Sequence, residues 1–318
     1  MKHLFSHSVY RDFENAPETK DVVSSLNKIG ADGIELLTAY FDIDQDFKAI
    51  SPGVHLPYAT DLYSAWVGVN DPTWMTDDES RFIHYGKDRD SVVKNVRSVI
   101  AYASKISPQY GVFHAGSVHL DDVFSKTCRH KDENVLKGLA EMMNIVVSEF
   151  KGNEPPFTIL FENLWWSGLK LLDDKEFRLL EDNLEFDNWG FCLDTGHMMN
   201  ALGTCYEENE AISQLLNVFE RYSDELIDRV KTMHLQLSTS AEYTSAPYPK
   251  IDMSLPQKER MTKAYGHVSK IDQHRQFTSK RCTELVNYIS PDFVTHELSA
   301  LEWDKRLSFF ASQRSFFP

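Results

Sequence analysis

The hydrophobic pattern repeats one unit: a short apolar run, a loop, then a stretch with apolar residues every three or four positions. The short runs cover Lys2–His7, Gly33–Leu37, Gly53–Leu56, Gly111–Ala115, Thr158–Asn163, Trp189–Asp194, Val230–Leu235 and Phe293–Leu298. Several are nearly continuous and bounded by Gly or Asn, as parallel strands buried on both faces require. Helical spacing predicts helices over Asp21–Ile29, Asp90–Ile106, Glu133–Phe150, Asp173–Leu180, Glu208–Val230, Ser279–Ile289 and Leu301–Phe310. In the second of these, Val92, Val93, Val96, Val99, Ile100 and Ala103 recur at three- and four-residue spacing. Eight strands alternating with helices predict an α/β fold closed as a (β/α)8 TIM barrel. Residues 1–318 then form one domain, where length alone would also admit two.

Two intervals are too long for plain connections. One runs from Pro57 to about Tyr85 and holds Tyr58, Tyr63, Trp66 and Trp74; the other runs from Gln236 to about Phe277. Each follows a strand, so each is expected over the C-terminal face, where barrel enzymes keep their chemistry. The aromatic content of the first predicts a packed lid.

Composition narrows the class. With 42% hydrophobic and 25% charged residues the chain is ordinary globular material. No apolar run approaches the ~20 residues of a membrane span. The segment MKHLFSHSVYRDF has no apolar core and carries Asp12, with Glu14 close behind, which argues against a secretory signal. Cys128, Cys192, Cys205 and Cys282 are scattered, which fits packing in a reducing, cytoplasmic setting. Against 33 Lys+Arg stand 48 Asp+Glu, a net charge of −15 with no basic stripe. DNA is therefore not the expected partner, and a small molecule is.

The predicted strands end in His7, Glu35, His55, His114, Glu162, Asp194, His234 and Glu297. Any one of these alone reads as a hydrogen-bonded rim residue. Together in one barrel mouth they would repel or lie stranded without a cation. The segment FCLDTGHMMNA adds His197, three residues after Asp194 at the turn into a helix. HVSKIDQHRQF adds Asp272 and His274, two apart, a spacing that turns both side chains the same way on an extended chain. Mixed imidazole and carboxylate ligands suit zinc, with manganese or iron as alternatives. The five imidazoles of His55, His114, His197, His234 and His274 exceed what one tetrahedral ion takes, so two to three ions are expected.

Other residues suggest a substrate, and the ions favour a phosphorylated one. Tyr58 lies three after His55, and Glu35 closes the GIEL strand as a polar contact or a rim ion pair. Trp165 and Trp166 could stack a ring or cover the rim, and adjacency sets them on opposite sides of an extended chain. Arg275, beside the DQH pair, could clamp a phosphate. His84, His119, His130 and His267 read as ordinary surface or loop histidines.

On SHS, GADGIEL, HLPY, VFHAG, LFENL, LDTGH, MHLQLS, DQH and THELS, the chain resembles the xylose-isomerase-like barrel superfamily, in its endonuclease IV branch. The resemblance implies three metal sites. His55, His114 and Glu162 would hold the first; Glu162 would bridge to a second with Asp194, His234 and Glu297; His197, Asp272 and His274 would hold the third. It also implies metal-assisted phosphoester hydrolysis. Three segments depart from that branch: FENLWWSGL has tryptophans where it has small residues, HLQLS replaces HLNDSK, and the interval from His234 to Asp272 is longer. These changes at the mouth favour a small nucleotide-like or cofactor-derived substrate over an abasic site in DNA. The alternative is a one-metal sugar isomerase or epimerase, with Glu162 and Glu297 as its acid–base pair.

Overall fold

Alternation along each strand separates two apolar surfaces with a charged layer above one of them. A computed structural model describes residues 1–10, 18–70, 73 and 75–318 of the chain. Its barrel strands are β1 (Lys2–Ser8), β2 (Gly33–Leu37), β3 (Gly53–His55), β4 (Tyr110–His114), β5 (Thr158–Glu162), β6 (Trp189–Asp194), β7 (Val230–His234) and β8 (Phe293–His296). All pair in parallel with their sequence neighbours, and β8 returns to β1 to close the barrel. The (β/α)8 TIM barrel expected from the pattern is the observed fold.

Outward-facing residues such as Phe5, Ile34, Leu36, Val54, Phe113, Phe161, Phe191 and Val294 join one core with the surrounding helices. The inward set Leu4, Tyr110, Val112, Leu160, Cys192 and Phe293 plugs the barrel. One step of two residues further along each strand, the inward positions become Ser6, His114, Glu162, Asp194 and their neighbours. Gly53 makes room for the plug: a Cβ there would stand 2.1 Å from the Tyr110 ring. Between β6 and β7 the register shifts, so that Phe191 opposes Val230 while Cys192 opposes Thr232. The extra residue, Lys231, keeps His234 level with Asp194.

Helices Thr19–Ile29, Arg89–Ser104, Asp132–Val147, Lys175–Asn183, Cys282–Ile289 and Trp303–Arg314 lie close to their expected places. The helix expected over Glu208–Val230 is instead two, Glu208–Phe219 and Asp224–Arg229. Ser223 explains the break, because its hydroxyl accepts the Leu226 N–H at 3.2 Å and caps a new helix. The long intervals carry helices of their own: Leu62–Val67 and Asp77–His84 in the first, Ala241–Ser245 and Gln257–Ile271 in the second. Asp12, Glu14 and Trp74 lie outside the described residues. Among those described, no helix is long and apolar enough to cross a membrane.

Candidate metal centre

The inward strand ends, with Glu297 just past β8, His197 on the helix after β6, and Asp272 and His274 from the second long interval, bring nine side chains into three groups. In each, the nitrogen and oxygen atoms that could bind a cation lie within 4.8 Å of one another. The first is His55, His114 and Glu162; the second is Glu162, Asp194, His234 and Glu297; the third is His197, Asp272 and His274. Cys192 joins Glu162 and His234 in a set that overlaps the second. Glu162 stands between groups. Its Oε2 is 3.1 Å from Nε2 of both His55 and His114, and its Oε1 is 3.0 Å from His234 Nδ1.

Partners behind the imidazoles fix which nitrogen faces inward. His55 Nδ1 lies 2.7 Å from the Leu56 carbonyl, His197 Nδ1 is 2.9 Å from the Asn163 carbonyl, and His274 Nδ1 is 3.2 Å from the Glu297 carbonyl. Each carbonyl accepts, so each Nδ1 donates and Nε2 keeps its lone pair for the centre. His234 is reversed: Nδ1 faces Glu162 and Glu297, while Nε2 is 2.8 Å from the Glu35 carboxylate.

Gln236, the residue of HLQLS that departs from the related motif, ties the second group to the third. Its amide donates to Asp194 Oδ1 at 3.1 Å and to Asp272 Oδ1 at 2.9 Å. Gly196 leaves space for it, since a Cβ there would lie 2.1 Å from that amide. Leu237 and Arg275 exchange backbone hydrogen bonds of 2.8 and 3.1 Å, clasping the base of the second long interval.

Two carboxylate oxygens at the centre, Asp194 Oδ2 and Glu297 Oε2, are buried with no hydrogen-bond partner. Burial pushes the Asp194 carboxyl up to about 7. Burial also opposes ionisation of Glu297, but His234 and His274 outweigh it and hold that carboxyl down at about 2. Unpaired buried oxygens among lone-pair nitrogens fit a centre built for divalent cations.

Neither a protein-family model nor a curated protein matches the chain. Solved structures do match it. Endonuclease IV from Thermus thermophilus superposes with a TM-score of 0.55 at 14% identity, over 99% of this chain and 98% of that one. The 3-keto-D-glucoside 4-epimerase of E. coli gives 0.54 at 12% identity, over 99% of both chains. A further Thermus thermophilus protein, soaked with zinc chloride, gives 0.50 at 13% identity, over 100% of both. What these structures share with the chain is the (β/α)8 TIM-barrel fold.

Above the centre, the barrel mouth holds a cavity of about 320 Å³. His55, His114, His197, Asp272, His274 and Glu297 line its floor. Its roof is one face of the helix Gln257–Ile271, formed by Gln257, Met261, Ala264, Tyr265 and Val268, with Met75 and Ile83 from the other long interval. An ion pair between Arg260 and Asp121 ties that helix down, and among the described residues the lining holds no lysine or arginine.

The substrate candidates divide. Tyr58 lines the cavity and stacks on His114, with ring centroids 4.9 Å apart. Trp165 and Trp166 both line it, their rings 4.5 Å apart, rather than pointing opposite ways. They lie beyond the end of β5, where the chain bends and strand alternation no longer applies. Glu35 is no substrate contact. It is buried behind His234 and accepts from Tyr110 Oη at 2.6 Å and Thr295 Oγ1 at 2.9 Å. Arg275 is exposed and outside the cavity lining; its backbone, not its guanidinium, is what the clasp uses.

Asp272 and His274 do meet, Oδ2 to Nε2 at 2.7 Å, but not along an extended chain. Asp272 caps the C-terminus of the roof helix and His274 has a left-handed φ of 46°. His7 faces outward onto Phe47 and Trp303, one residue past the inward Ser6. His84 and His267 are buried rather than surface residues, and His84 and His119 line the cavity. Periodicity could not have found them, because they sit on loop-borne elements with no strand phase. Gln236 could have been found by the two-residue step from His234.

Proposed function

We propose that the chain is a metal-dependent hydrolase, cytoplasmic in setting, that cleaves a phosphoester of a small nucleotide-like or cofactor-derived molecule. What carries this reading is the presence of three ligand groups on one floor, where one-ion sugar chemistry needs only the second. The donor set suits two to three zinc ions, with manganese or iron as alternatives. Bound there, such cations would supply an activated water and neutralise charge on the phosphate. Glu162 offers one oxygen to each of the first two groups and so sets their separation. His197, Asp272 and His274 hold the opposite rim, where Trp165 packs on His197 and helps exclude bulk water.

A net charge of −15, a cavity roofed by a helix and a lining without lysine or arginine among the described residues support a small molecule over duplex DNA. A second reading is a one-ion sugar isomerase or epimerase. It is favoured by the placement of Glu162 and Glu297 on the same His234 nitrogen, at 3.0 and 2.9 Å, as an acid–base pair. Elemental analysis of the purified protein separates the two. The hydrolase reading expects two to three ions per chain, loss of one with His274→Ala or Asp272→Ala, and chelator-sensitive cleavage of bis(p-nitrophenyl) phosphate. One ion per chain, indifferent to both substitutions, would overturn it in favour of the isomerase.

A further inference from the structure

Outside all of the ligand groups the cavity lining carries several polar side chains, among them Thr60, Asp61, Asn70, His84, His119 and Gln257. For the last three, the hydrogen-bonding sense can be read from what stands beside them. His84 Nδ1 lies 2.6 Å from the Asp61 carbonyl, which can only accept. Nδ1 therefore carries the proton, and in the neutral ring Nε2 is an acceptor. Burial lowers the His84 pKa and so favours that neutral ring. His119 is the converse, because the Asp121 N–H donates to its Nδ1 at 3.2 Å. Its Nε2 is then the donor. Gln257 Oε1 is buried without any partner, a second acceptor in want of a donor.

These groups ask for a ligand edge with donors and an acceptor side by side. The remainder of the wall restricts what carries that edge. The stretch of wall formed by Met75, Ile83, Met261 and Val268 would leave the hydroxyls of a second sugar lying against it buried without partners. A further phosphate or carboxylate finds no lysine or arginine among the described lining residues. A flat heterocycle meets both conditions, since its faces can lie against Tyr58, Trp165 and Trp166 while its edge is hydrogen-bonded.

We propose that this part of the cavity is a subsite for a nucleobase-like heterocycle, its donor–acceptor edge read by His84, His119 and Gln257. The proposal rests on the hydrolase reading and completes it: the phosphoester lies on the floor and the base under the roof helix.

Calorimetric titration of the metal-loaded protein with adenosine, guanosine, cytidine and uridine, with ribose phosphate and with inorganic phosphate tests it. At least one nucleoside is expected to bind, and its monophosphate to bind about tenfold or more tighter than ribose phosphate. His84→Phe and His119→Leu should each weaken the nucleoside by about tenfold and leave inorganic phosphate unchanged. His119 is partly exposed, so its variant keeps the test valid if the buried His84 variant does not fold. Failure of all four nucleosides to bind, or binding indifferent to the variants, overturns the subsite. Nucleoside binding without any binding of inorganic phosphate would support the subsite while counting against the phosphoester reading.

Discussion

His234 and His296 end neighbouring strands, and one residue of register separates them, since His234 pairs with Thr295. Their chemistry is opposite. His234 points into the barrel between Glu162 and Glu297. Burial disfavours its charge, but the surrounding acidic groups outweigh that and raise its pKa well above the ordinary value. His296 points out, between His3 and Gln313 and against the Phe310 ring at 4.6 Å. With no carboxylate there, burial drives it well below the ordinary value. The same residue type, at nearly the same height on one sheet, stands in a candidate metal group on one face and is a packing group on the other. The pleat decides which.

The largest test of the inner face is Glu162→Gln. An amide cannot bridge two cations as a carboxylate does, so at least one ion should be lost and turnover should fall on the order of a thousandfold. The fold should survive, because the C-terminal face of a barrel carries function more than stability. Full metal content with near-normal activity would show that Glu162 bridges nothing.

The outer face makes the opposite forecast, for stability rather than metal. Burial holds both His3 and His7 down at about 4, against 6.5 in an unfolded chain. Their full contribution is present above 6.5 and is lost as pH falls from 6.5 toward 4, because the unfolded state then binds protons that the fold refuses. For His7 the loss is on the order of 3 kcal/mol. Denaturant titrations of the chelated protein across that window should show it, and His7→Leu should flatten the slope. An identical slope in the variant would remove His7 from the account.

Glu35 probes what stands behind the inner face. Glu35→Gln should weaken metal binding by about 10–100-fold with little change in melting temperature, read by competition with a chromophoric chelator. Unchanged affinity would mean that the contact with His234 is incidental. The smallest effect belongs to the roof. Met261→Ser should raise KM a few-fold, a part of what a fully buried side chain would contribute because Met261 is half-buried, with metal content unaltered. A change in metal content there would tie roof and floor together.

These contrasts also mark what the sequence could reveal. Strand ends were legible because fully buried parallel strands leave apolar runs that stop abruptly, as LFEN and FCLD do, so the inward ligands surfaced as polar residues closing apolar words. Facing was not legible at His7, which ends such a run in the wrong phase by one residue. The Lys231 bulge is likewise invisible in composition. Glu35 has the same pattern as Glu162. Only the presence of Tyr110 and Thr295 beside it, from distant parts of the chain, makes it a support rather than a ligand. His84 and His119 depend on how loops fold against each other, for which a single chain carries no period.

The clasp between Leu237 and Arg275 has a further consequence. Everything from 238 to 274 hangs from a closed base, with the Asp272–His274 pair beside the knot. Lengthening such a closed loop adds only about 0.6 kcal/mol of chain entropy per doubling. The stretch between the clasp and the start of the roof helix is thus where the chain can change in length at least cost, while Asp272 stays fixed as that helix's C-terminal cap. New specificity can be fitted to an old reaction centre by editing one stretch of chain.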